Sequence, residues 1–129
     1  MFTADQLVAH AIGDYVLQSE WMATEKTKRS FAALVHCSFY ILPFLFITRN
    51  IYTLAVIFGT HFVIDRWHLA RYIAWAKNRP WPNSAPWSER SETGFNPSTA
   101  PWLAGWLLII IDNVLHVFIN GLALTYIGT

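Results

Sequence analysis

Trp102-Leu-Ala-Gly-Trp-Leu-Leu-Ile-Ile-Ile-Asp112-Asn-Val-Leu-His116-Val-Phe-Ile-Asn120-Gly-Leu-Ala-Leu-Thr-Tyr-Ile127 decides the fold class. A membrane-spanning helix requires about 20 mostly apolar residues. Beyond Asp112 this stretch carries no Asp, Glu, Lys or Arg. Two more stretches share its character, since residues 30–48 and 50–64 are also without formal charge. The pattern predicts an all-α polytopic membrane protein. It has four transmembrane helices bundled as one domain over 1–129, with spans near 4–22, 31–48, 51–72 and 102–127. The first span is the most polar, with Asp5, His10, Asp14, Gln18 and Glu20, and an interfacial helix is its alternative.

The composition agrees. Hydrophobic residues make up 54% and charged residues 13% of 129, where water-soluble domains average about 25% charged. Disorder is excluded, because it needs low hydrophobicity and high net charge. A net charge of +1 leaves no basic excess for neutralising phosphates, so no nucleic-acid partner is expected. The partner is the lipid bilayer. No charged n-region, short apolar core and A-x-A site open the sequence, so no removable signal peptide is expected. The lone Cys37 rules out an intrachain disulfide and reads as a small buried hydrophobe.

Basic residues set the expected topology. Lys26, Lys28, Arg29, Arg71, Lys77, Arg79 and Arg90 fall on one side of the four spans, and only Arg49 on the other. Positive residues stay cytoplasmic, which puts loops 23–30 and 78–101 inside and both termini outside. The expected location is an inner (plasma) membrane. If the first span only lies on the surface, the N-terminus moves inside. Segment 78–101 contains five prolines and cannot form a long helix. With Trp81 and Trp87 it reads first as a linker lying on the headgroups, and second as a lid over a cytoplasmic site. Ser98 or Thr99 is the expected cap of the last span, with Pro101 in its first turn.

The few polar residues inside the spans come at one spacing. His10 and Asp14 lie on the first span and His61 and Asp65 on the third. Asp112 and His116 repeat the spacing on the fourth in reversed order, and His36 and Tyr40 share it on the second. Four residues apart, two side chains share a helix face one turn apart. Ionisable groups within a span usually face the bundle interior or a water-filled cavity. At a rise of ~1.5 Å per residue they form a column densest at mid-membrane. A single such pair would more often be buried helix–helix glue; three pairs plus His36 point to metal or proton chemistry. Imidazole with carboxylate suits zinc, iron, manganese or nickel, and helix bundles host di-metal sites of this kind.

The expected ligands are Asp14, His61, Asp65, Asp112 and His116, holding one or two divalent ions (zinc, manganese or iron). His36 and His10 are further ligands or the general base and acid. Gln18, Tyr40, Asn113 and Asn120 are expected to hydrogen-bond the ligands or to join helices. Gly13 permits close helix approach beside Asp14. His68 reads as a solvated histidine. Arg66 and Arg71 either snorkel to headgroups or clamp a substrate phosphate.

The stretch His10-Ala-Ile-Gly-Asp14-Tyr-Val-Leu-Gln18 resembles the opening signature of a family of small bacterial and phage membrane proteins catalogued as a domain of unknown function. Its later marks match His36, His61-Phe-Val-Ile-Asp65 and Asp112-Asn-Val-Leu-His116. The resemblance covers nearly the whole chain except 78–101, and implies a polytopic membrane protein without implying an activity. A looser likeness is to membrane-bound metal-dependent hydrolases, whose His-Arg-x-x-Thr-His block is absent here. The leading expectation is a membrane metalloprotein hydrolysing a lipid-linked or amphipathic (phospho)ester. A proton or metal-ion conductor using the same column is the alternative. A third reading is an oligomeric membrane-acting or partner-regulating protein, in which a homo-oligomer is specified by the polar groups.

Overall fold

The computed structural model describes residues 2–128, and among them every regular element is helical. The chain divides into two compact units, one running up to Trp67 and resuming at His116, the other covering His68–Leu115.

The first unit opens with α1 (Ala4–Ala11), which passes without a break into a π-helical turn, Ile12–Val16. Ser19 is extended, and its hydroxyl accepts from the Met22 amide at 3.2 Å. This N-cap starts α2 (Glu20–Glu25). After a turn at residues 26–29 comes α3 (Ser30–Tyr40), followed by a 3₁₀ turn, Pro43–Phe46. Asn50 caps α4 (Ile51–Arg66), its Oδ1 accepting from the amides of Tyr52 and Thr53 at 2.9 and 3.3 Å. Just past α4, His68 adopts a left-handed φ of 51°, a conformation that ends helices. The apolar core of this unit joins Ala9, Tyr40, Phe44, Leu54, Ile57 and Ala123. Gly13 is needed where the chain meets Tyr40. A Cβ there would fall 2.5 Å from the Tyr40 ring and 3.1 Å from its carbonyl oxygen.

The second unit holds α5 (Ala70–Asn78), the short α6 (Trp87–Arg90) and the first part of α7 (Pro101–Tyr126). Its core is a small-residue face, Ala70 and Ala74, with Phe95, Ala104 and Leu108. Gly94, at φ 79°, passes so close to the Arg71 carbonyl that a side chain would collide with it. The proline-rich 78–101 segment forms only the four-residue α6, as a run of residues lacking amide donors must. Pro101 does open α7, but Ala100 stands before it rather than Ser98 or Thr99, and its carbonyl takes the Leu103 and Ala104 amides.

Four full spans are not what forms. Among the described residues α7 alone is long and apolar enough to cross a membrane. Its 26 residues reach about 39 Å at ~1.5 Å per residue. The expected 4–22 span is cut at residues 17–19, where the π turn ends and Ser19 turns extended. The 31–48 span stops as an α-helix at Tyr40, close to Pro43, which has no amide to donate. The 51–72 span is divided between α4 and α5 by the turn at His68. Apolar runs were legible from hydropathy; their interruptions depend on proline and backbone geometry, to which hydropathy is blind.

Candidate metal centre

Three segments of the first unit bring four side chains together. The π turn carries Asp14, α3 carries His36, and α4 carries His61 and Asp65 one turn apart. Each offers one ligand atom, and these atoms lie within 4.8 Å of one another, all four residues being buried. His36 Nε2 lies 2.9 Å from His61 Nε2, 3.1 Å from Asp14 Oδ1 and 3.1 Å from Asp65 Oδ2. His61 Nε2 lies 3.4 Å from Asp14 Oδ1 and 3.1 Å from Asp65 Oδ2.

These separations have a geometric meaning. Nitrogen and oxygen ligands sit about 2.0–2.2 Å from a bound zinc ion. Ligands at that radius are roughly 3.3–3.6 Å apart in a tetrahedron, and roughly 2.8–3.1 Å apart at neighbouring octahedral positions. The imidazole–imidazole and imidazole–carboxylate separations of 2.9–3.4 Å overlap both ranges. Two imidazole nitrogens 2.9 Å apart also need a positive centre or a shared proton between them, because two lone pairs face to face repel.

Charge points the same way. The buried carboxylates of Asp14 and Asp65 are met by one ammonium, Lys26, whose Nζ is 2.8 Å from Asp65 Oδ2. Uncompensated buried charge costs several kcal/mol (about 3–5 when one partner of a pair is removed). A divalent cation among these oxygens would offset the second carboxylate. The buried cluster can therefore hold a metal ion by position, donor type and charge.

A second layer braces the centre. Tyr40 stacks flat on His61 with ring centroids 3.6 Å apart. Its hydroxyl is 2.9 Å from His10 Nδ1 and accepts from Asn120 Nδ2 at 2.7 Å. His10 in turn stands 3.5 Å from Asp14 Oδ2. His116 Nε2 is 3.5 Å from Asp65 Oδ1, and its ring lies 4.2 Å from that of His61. Gln18 reaches back to donate to the Asp14 carbonyl at 3.0 Å, holding the π turn.

The other expected residues are Asp112, Asn113, Arg66 and Arg71. Asp112 stands one turn before His116 on α7 and is half-buried. Asn113 donates to the Ile109 carbonyl of its own helix at 2.7 Å. Arg66 donates to the Thr27 carbonyl at 2.8 Å and to the Ser30 hydroxyl at 3.1 Å. Arg71, in the second unit, donates to the Ser91 carbonyl at 2.8 Å and packs over Tyr72 and Trp87. Cys37 is fully buried beside His36, as a small hydrophobe would be.

Lys26 is the residue that sequence reasoning missed. It read as one of a run of loop cations, Lys26, Lys28 and Arg29. The signal that could have found it was local charge balance. Glu25 satisfies Lys28 at 3.3 Å and Arg29 at 3.1 Å, and these are its i+3 and i+4 neighbours. Lys26 is the cation of that run left to neutralise something elsewhere in the fold.

No curated protein and no solved structure matches the chain. The family described as "Protein of unknown function (DUF3307)" matches residues 2–127. Because the match spans nearly the whole sequence, the chain belongs to that family.

Proposed function

We propose that this chain is an integral membrane metalloprotein whose Asp14, His36, His61 and Asp65 bind a divalent cation for hydrolysis of a lipid-linked or amphipathic phosphoester. The observation that carries the reading is that two imidazole nitrogens lie 2.9 Å apart and 3.1–3.4 Å from oxygens of two buried carboxylates, all four ligand atoms within 4.8 Å of one another. Such an ion lowers the pKa of bound water toward ~7 and polarises a phosphoryl oxygen. Zinc suits the tetrahedral end of the spacing, and manganese or iron the octahedral end.

The membrane reading has its own support. Within the first unit the polar residues Gln6, His10, Thr53, His116 and Asn120 are buried together with the centre. Phe31, Phe46 and Tyr52 are exposed, Phe46 to 91%. Polar groups inside and large apolar groups outside invert the soluble pattern and fit helices that face lipid. α3 and α4, though shorter than α7, would then sit in the bilayer with it. The setting proposed is a bacterial inner membrane, with the basic turn at residues 26–29 on the cytoplasmic side.

Elemental analysis of protein purified in mild detergent without chelator is the test. About one equivalent of zinc, manganese or iron per chain is expected. It should be lost in His61→Ala and released as pH falls, because the ligands must be deprotonated to bind. A wild-type protein that neither retains nor takes up metal would defeat the reading. A proton conductor is the second reading. It is favoured by the hydrogen-bonded series Asn120, Tyr40, His10 ending against Asp14. Proton flux in proteoliposomes that stops in Tyr40→Phe would establish it.

A further inference from the structure

We infer that Lys26 is the anion-binding residue of the centre, and that the ligand it recognises is a phosphate oxyanion held between the metal and its ammonium group. This rests on the metal reading above and specifies the substrate group at that same site. Lys26 Nζ contacts Asp65 Oδ2 at 2.8 Å, and that same oxygen is 3.1 Å from both His36 Nε2 and His61 Nε2. The ammonium is thus one atom removed from the position an ion would take. A carboxylate oxygen has two lone pairs, so Asp65 can serve the ion and Lys26 together.

An ammonium beside a bound cation favours an anionic ligand that can bridge the two. Lys26, next to an oxygen that would hold the ion, supplies that ammonium. The Lys26 side chain is 15% exposed and that of Asp65 2% exposed, so Lys26 is the more accessible member of the pair. The two arginines first considered for phosphate are occupied otherwise. Arg71 is bound within the second unit. Arg66 ties down the Thr27 carbonyl and the Ser30 hydroxyl, which fixes the turn that carries Lys26. Arg66 is a positioning residue, and Lys26 is the one that touches the ligand. Lys28 and Arg29, on the same turn, are exposed and paired with Glu25.

The test uses the full chain in nanodiscs, loaded with Co²⁺, whose visible spectrum reports ligands joining the ion. Inorganic phosphate should shift the wild-type spectrum saturably. Lys26→Met should weaken phosphate binding about tenfold or more, as expected for losing a charge-assisted hydrogen bond. Lys26→Arg should restore most of it. Cobalt should bind Lys26→Met at least as tightly as wild type, because removing a neighbouring positive charge favours a cation. A lipid source is distinguished by nanodiscs with and without phosphatidic acid. A shift with that lipid alone, with free phosphate alone, or with both supports the proposal and assigns the source. The proposal is overturned by bound cobalt whose spectrum responds to neither phosphate. Equal phosphate binding in wild type and Lys26→Met also overturns it. Loss of cobalt from both Lys26 variants would overturn it as well, marking Lys26 as a structural latch. Absence of cobalt from wild type would instead overturn the metal reading itself.

Discussion

α4 and α7 carry the same pair of residues at the same spacing, and the fold treats them differently. On α4, His61 and Asp65 are both buried and both reach the cluster of His36 and Asp14. On α7, His116 is buried and touches Asp65, whereas Asp112 is half-buried. Spacing by four guarantees a common helix face. It does not guarantee equal burial along that face. α4 is a short helix, defined at one end by the Asn50 cap and at the other by the turn at His68. α7 is 26 residues long and contributes to both compact units. What distinguishes the two pairs is the surroundings into which each is delivered.

The strongest way to break this comparison is to neutralise one carboxylate on each helix. Asp65→Asn should reduce metal affinity by more than the ~10–100-fold typical of losing a group that only supports a ligand. Asp112→Asn should stay within that range. Competition against a metal-sensitive dye measures both, and equal losses would place the two helices in the centre on the same terms. A smaller effect is expected from Tyr40→Phe. The ring and its stacking on His61 remain, while the hydroxyl contacts to His10 and Asn120 are lost. Stability should fall by about 1–2 kcal/mol, read by denaturant titration in detergent, with metal affinity changed far less than in Asp65→Asn. The smallest effect is Asn50→Ala. Loss of the α4 cap should cost about 1 kcal/mol and lower the midpoint of thermal unfolding, while metal content is retained. A loss of metal there would mean that α4 depends on its first turn to aim His61 and Asp65, more than ten residues away.

The buried His and Asp cluster was more legible than the architecture around it. His10, Asp14, His36, His61, Asp65 and His116 could be picked out because ionisable residues amid apolar runs are rare, and their shared spacing tied them to helix faces. That His36 lies beside Asp14 and Asp65, while His10 lies on the Tyr40 side of Asp14, comes from how the helices pack, and a single sequence does not encode that openly. The all-helical class was readable from the apolar runs. The four full spans did not form, because the breaks at Ser19, Pro43 and His68 are local backbone events within stretches that remain apolar. Gly13 was readable as a close-approach residue, but its neighbour Tyr40 was not. Lys26 was hidden by its company among loop cations.

The π turn at Ile12–Val16 has a consequence for how the chain tolerates insertions. A π turn holds an extra residue compared with an α turn, and such turns are frequent at functional sites. The extra residue is absorbed within the turn, so the flanking segments stay in phase. At 3.6 residues per turn, an ordinary α-helix over the same residues would instead rotate α1 by about 100° relative to Leu17 and the residues beyond it. Gln6 would leave the Val117 carbonyl and His10 would leave Tyr40, with every amino acid of the centre still present. The π turn is therefore what keeps α1 in phase with the centre, and a further inserted residue that it could not absorb would disconnect the first helix from the site it helps to enclose.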